Sequence, residues 1–257
     1  MVPVIPWYIT LIVLAINLTI AVAVSTILSR AAGRSGLPAA AQRRVRAGTA
    51  IFLAGWLGAA LLSAPAPASI ATRDPFYLTP LLPLFAVLGP TLAAVALFRS
   101  EALRRVVAAV SVPTLIGVQV YRTIGAVFVM LLALGQLPAH FALPAGWGDV
   151  AIGVTAPLVA LALARGIAGG RALALTWNVV GLLDLVVAVG MGTGLLAPFL
   201  APDLGARVAP APAMGAFPMI IVPTFAVPVS VLLHVLALRG MARKARVESE
   251  LVSARTM

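Results

Sequence analysis

Stretches of about twenty nearly unbroken apolar residues, separated by short joints that hold most of the arginines, recur along this chain. A hydrocarbon core about 30 Å thick is crossed by about 20 apolar residues in a helix. Backbone polar groups inside lipid must be satisfied within the protein, which leaves helices or closed barrels as spanning structures. Barrel strands alternate apolar and polar positions over about ten residues, whereas these segments stay apolar for several helical turns. The sequence therefore predicts an all-α, polytopic membrane bundle. A composition of 62% apolar and 10% charged residues, with a mean hydropathy of +1.10, excludes an ordinary soluble domain.

The breaks in hydropathy predict about seven transmembrane helices, at 7–29, 48–64, 77–98, 114–136, 149–165, 172–194 and 217–238. The net charge of +11 raises nucleic acid as a partner, but the placement of the charge points to topology instead. Arg30, Arg34, Arg43, Arg44 and Arg46 lie between the first two spans, and Arg99, Arg104 and Arg105 precede the fourth. Arg165 and Arg171 flank the joint between spans five and six, and Arg239, Arg243, Lys244, Arg246 and Arg255 follow the seventh. If spans alternate, all of these share one side, and only Arg73 and Arg207 fall on the other. The positive-inside rule then places the N-terminus outside and the C-terminus in the cytoplasm. The expected location is the cell's inner (plasma) membrane, with the bilayer as first partner and no nucleic acid. A seven-helix domain would occupy 1–239 and a short basic tail 240–257.

The first apolar segment reads as a retained span, because no basic region precedes it and its apolar core is longer than the 7–15 residues of a signal peptide. The outer connections, 63–75 and 195–216, are rich in proline and alanine and read as irregular or polyproline-like loops. Residues 100–112 place charges beside an apolar face, predicting an interfacial segment with a kink at Pro113.

Two charges stand inside spans. Arg122 lies near the middle of 114–136 and Asp184 near the middle of 172–194. A charge at the bilayer centre costs about 2.5–3.5 kcal/mol on insertion scales and usually faces a bundle interior or a cavity. At about 1.5 Å per residue both lie roughly 12–18 Å from the cytoplasmic boundary, which predicts a direct ion pair. Gln119 shares a face with Arg122, and Trp177 and Gly181 share one with Asp184.

A second group, His140 to Asp149, contains Pro144, Gly146, Trp147 and Gly148 and reads as an outer turn. Asp149 would open the fifth helix, where its dipole favours a carboxylate. Trp147 fits an interfacial aromatic belt, and His140 and Asp149 would line the mouth of an outward-facing cavity leading down towards Arg122. A third set, Asn178 and His234 with Ser230, lies nearer the cytoplasm. There His234 is expected to hydrogen-bond to Asn178 or Ser230. Pro223 and Pro228 predict a kinked last span with freed carbonyls.

No cysteine is present, which removes thiolate chemistry and Cys-based metal sites. Two histidines at opposite faces disfavour a bis-histidine haem, so no metal and no cofactor is predicted. Retinal is disfavoured as well: its Schiff base needs a lysine in the last span, and the only lysine, Lys244, lies in the tail. Three functions fit. The first is binding or carriage of a small polar or anionic molecule at the Arg122 and Asp184 site. The second is a sensor or partner subunit, working with a membrane partner or a second copy of this chain. The third is a membrane-embedded enzyme acting on a lipid or isoprenoid-like substrate, with Asp149, His140 or Asp184 as acid or base.

Overall fold

The computed structural model describes residues 5–63, 81–193 and 211–255, and every long element among them is helical. Helix α1 is Trp7–Arg34, α2 Ala39–Leu62 and α3 Leu81–Arg99; a short amphipathic α4, Glu101–Ala108, follows. The next span is composite: α5 (Val112–Gly117), a 3₁₀ segment (Val118–Gly125) and α6 (Ala126–Ala133). Helices α7 (Ala139–Ala164) and α8 (Gly170–Gly192) come next. The chain closes with a π turn, Val222–Ala226, leading into α9, Val227–Arg255.

Among the described residues, six helices are long and apolar enough to cross a membrane. They correspond to six of the seven expected spans. The expected third span, 77–98, begins outside the described residues, and what is described there is α3 with its apolar stretch Val87–Arg99. Arg73, Arg207 and most of the two proline-rich outer connections also lie outside them.

Several helix ends differ from those the hydropathy breaks suggested. Helix α7 starts at Ala139, ten residues before the expected 149, because Pro138 sets an extended entry and Pro144 is accommodated in the second turn. The segment 140–149 is therefore helical and not a turn. In place of the expected kink at Pro113 there is a break between two helices. Helix α4 ends at Ala108, and the Ser111 hydroxyl accepts from the Thr114 N–H to start α5, with Pro113 in its first turn. That is the position where proline's missing N–H is harmless. Helix α9 continues past residue 239 into the basic tail, with Arg246 and Glu250 paired one turn apart.

The amphipathic α4 carries Glu101, Arg104 and Arg105 on its polar side. Hydrogen bonds from the two arginines hold the exposed Glu101 carboxyl below its ordinary value. Its apolar side includes the fully buried Val106.

Packing between the composite span and α7 depends on small residues, which allow backbones to approach closely in membranes. A Cβ added at Gly125 would fall on Asp149 and lie 2.7 Å from the Gly146 carbonyl oxygen, and one at Gly153 would lie 2.9 Å from the Arg122 carbonyl carbon. At Gly117 an added Cβ would lie 3.4 Å from the Ala160 Cβ, an ordinary contact. These contacts draw the 3₁₀ segment against α7.

The π turn meets the sequence expectation of freed carbonyls. Pro228 has no N–H to give the Thr224 carbonyl four residues earlier, and the Trp56 indole Nε1–H donates to that oxygen at 2.9 Å. Trp56 is buried between Phe52 and Phe225, and Gly89 of α3 passes over its ring. Trp56→Phe keeps most of this packing but orphans the buried carbonyl. We expect it to cost about 1–3 kcal/mol, measured by equilibrium unfolding in mixed micelles. An unchanged midpoint would mean that the bond contributes nothing.

Candidate functional site

The 3₁₀ segment sets the geometry of the site. Residues three apart eclipse one another in a 3₁₀ helix, so Gln119, Arg122 and Gly125 stack on one buried face. Arg122 is 2% exposed and is the bulkiest of the fully buried side chains. Its Nε donates to Asp149 Oδ1 at 2.6 Å and its Nη2 to Asp184 Oδ2. Nη1 donates to the Gly181 carbonyl at 3.3 Å and meets His234 Nε2 at 3.1 Å.

The chemistry of these partners fixes the histidine's tautomer. A guanidinium has donors only, so His234 Nε2 accepts and the proton sits on Nδ1. That nitrogen then donates to Asn178 Oδ1 at 2.9 Å, and the Asn178 amide nitrogen donates in turn to the Ala174 carbonyl. Trp177 lies against the His234 ring with centroids 5.1 Å apart, and its indole N–H donates to Thr155 Oγ1 at 3.0 Å. Four elements thus converge on one guanidinium: the 3₁₀ segment, α7, α8 and α9. Glycines at the crossings make room. A side chain at Gly148 would overlap the Asp184 carboxylate, and one at Gly181 would overlap the His234 ring.

The expected pair of Arg122 with Asp184 is present, and so is the bond between His234 and Asn178. The third set is not separate, because His234 reaches the guanidinium directly. Ser230 instead bonds to the Tyr121 hydroxyl at 2.7 Å, a contact the sequence reading missed.

Asp149 requires the largest correction. It does not open a helix at the membrane's outer edge; it sits in the middle of α7, buried, and takes the Nε–H of Arg122 beside the Nη2 that Asp184 takes. Nine residues of helix separate it from the half-buried His140, about 14 Å along the axis, so the structure does not bring His140 to the cluster. Trp147 is 59% exposed on the outside of the bundle and does not join it either. A signal for Asp149 was available, since Ala142, Ala145, Gly146, Asp149, Gly153 and Ala156 mark one helical face of small residues with a single carboxylate in its centre.

Gln119 completes the site. It is fully buried, and neither its amide nitrogen nor its amide oxygen has a hydrogen-bond partner. Asn17, on α1, is buried with its amide oxygen likewise unpartnered, and α1 packs against the 3₁₀ segment. Buried amides are nearly always paired, so these two are exceptions among the described residues.

The family described as "Domain of unknown function (DUF8737)" matches residues 79–242, which contain every member of the cluster around Arg122. Neither the curated proteins nor the solved structures contain a match to the chain.

Proposed function

We propose that this chain, which belongs to the DUF8737 family, binds or carries a small polar molecule through its intramembrane arginine–carboxylate cluster, and that the cluster exchanges a proton or a cationic group as it does so. The observation that carries this reading is the charge count. Two carboxylates, Asp149 and Asp184, face one guanidinium, and His234 is held neutral by accepting from it. With both carboxylates ionised the cluster carries one excess negative charge in a medium where uncompensated charge is expensive. A proton or a bound cation balances it.

The same geometry weakens the anionic-ligand version of the reading. Four protein acceptors already face the Arg122 guanidinium and two of them are carboxylates, so an incoming anion would meet like charge there. The unpartnered amide of Gln119, one 3₁₀ turn from Arg122, supports a neutral or cationic polar ligand beside the carboxylates. A second reading, in which the cluster only clamps four elements together, is favoured by the near-complete burial of Arg122.

The experiment that separates them uses protein reconstituted in vesicles containing a pH-sensitive dye and exposed to a panel of small amines and neutral polar solutes. Proton movement driven by one of these solutes, lost in Asp184→Asn, is the expected result. No solute-dependent proton movement, together with a loss of stability in Asp184→Asn as large as that in Arg122→Met, would leave the clamp.

The proposed membrane is the cell's inner (plasma) membrane, with the C-terminus in the cytoplasm, as the basic joints indicate. The chain has no cysteine, so a single introduced thiol reports cleanly. Lys244→Cys is expected to react with a membrane-impermeant maleimide only after the cytoplasmic side is opened. Labelling from the outside of intact cells would reverse the orientation.

A further inference from the structure

Away from the charge cluster, α1, α2, α3, α4 and α9 enclose a cavity of about 620 Å³. That lies within the range of roughly 300–1,000 Å³ typical of ligand sites. Its walls are almost wholly apolar, built from residues such as Ile27, Phe52, Leu97 and Leu233. The polar lining is confined to Thr49, Ser100 and two arginines, Arg44 and Arg239. Both arginines are exposed, and among the described residues no carboxylate pairs with either.

The length of the cavity is informative. Along α2 its lining begins at Ala41, and the stretch from Arg44 to Trp56 covers twelve residues, about 18 Å. Along α9 it runs from Val229 to Arg239, about 15 Å in the antiparallel direction. The two arginines therefore stand at the same end, and the buried Trp56 closes the other. Half of a hydrocarbon core about 30 Å thick is about 15 Å, so the cavity is one leaflet deep with positive charge at the headgroup level. Leu103 and Val107 of the amphipathic α4 line the cavity, while Glu101 and the Arg104 guanidinium, on the polar side of α4, do not.

We propose that this cavity holds one anionic phospholipid from the leaflet on its basic side, with an acyl chain along α2 and α9 and the phosphate between Arg44 and Arg239. Zwitterionic lipid can supply the same chain, but its cationic headgroup would sit beside two unpaired guanidiniums. Interaction with anionic lipid is worth roughly a factor of five per basic residue near the surface, so the two arginines together give about a 25-fold preference.

The test is native mass spectrometry of the full chain, delipidated in detergent and then incubated with phosphatidylglycerol or phosphatidylcholine of identical acyl chains. We expect one phosphatidylglycerol to be retained about 25-fold better than phosphatidylcholine. The preference should vanish in R44Q/R239Q and persist in R34Q/R43Q, whose exposed arginines do not line the cavity. Val45→Trp, which fills the cavity, should lower retention of both lipids. Thermal unfolding of each variant verifies that it is folded. Equal retention of the two lipids by the wild-type chain, or loss of the preference in R34Q/R43Q as in R44Q/R239Q, would reduce the cavity to unselective boundary lipid. Competition by soluble glycerol phosphate as effective as that by lipid would assign the arginines to a free phosphate and overturn the proposal.

Discussion

Arg122→Met is expected to destabilise the bundle by about 3–5 kcal/mol, the usual cost of removing one partner from a buried ion pair. The methionine fills most of the arginine's volume, so the loss reports charge and hydrogen bonding more than a cavity. Asp149 and Asp184 are left facing each other, His234 loses the donor to its Nε2, and the Gly181 carbonyl loses its side-chain donor. The charge count makes a sharper statement about the partners. Asp184→Asn alone, or Asp149→Asn alone, leaves one carboxylate for one guanidinium and is expected to cost less than about 1.5 kcal/mol. The double Asn variant leaves Arg122 unbalanced and is expected to approach the cost of Arg122→Met. Equilibrium unfolding in mixed micelles checks all four. If each single Asn variant is as damaging as Arg122→Met, both carboxylates are ionised in the resting protein and the proposal of an exchangeable proton fails.

Alanine at Gly153 or Gly125 is expected to be the next most damaging change, at about 1–3 kcal/mol or more for forced overpacking. A methyl at Gly153 meets the backbone of Arg122 and Thr123, and one at Gly125 meets the Gly146 carbonyl. Backbone cannot rotate away as a side-chain tip can, so the 3₁₀ segment must lift from α7 and take the guanidinium with it. Gly48, Gly55 and Gly58 provide controls in the same bundle: a methyl there meets nothing within 4 Å, and alanine raises helix propensity. Those three variants are expected to match or exceed wild-type stability. If Gly153→Ala behaves like them, close approach of the 3₁₀ segment and α7 is not what positions Arg122.

The bundle was legible because bilayer thickness imposes itself on sequence. Six apolar helices overlap spans that the hydropathy breaks suggested, although two of them begin nine and ten residues earlier, and the pairing of Arg122 with Asp184 followed from equal depth. Asp149 was misread for a local reason. Pro144, Gly146 and Gly148 resemble turn residues in water, but in a membrane helix glycine serves close packing, and proline near the helix start is tolerated. The 3₁₀ segment left no readable mark, since Val118 to Gly125 has no motif that separates it from an α-helix. His234 was placed in a separate set because the last span was expected to end at 238, whereas α9 runs on to Arg255, and the long arginine side chain bridges the remaining difference. The apolar cavity could not be read at all, because lipid-facing, protein-facing and cavity-facing leucines are the same letter.

The eight residues of the 3₁₀ segment rise about 2.0 Å each instead of about 1.5 Å, so this span is about 4 Å longer than an all-α version of itself. Each also turns about 120° rather than about 100°, so rewinding the whole segment would swing α6 by about 160° relative to α5. Arg122 sits inside that segment and is tethered to three other elements. The ionic cluster therefore fixes the length and the rotational phase of a transmembrane rod: as long as those tethers hold, the two halves of the span cannot screw past each other, and releasing them would convert a change of charge into a displacement of about one helical half-turn.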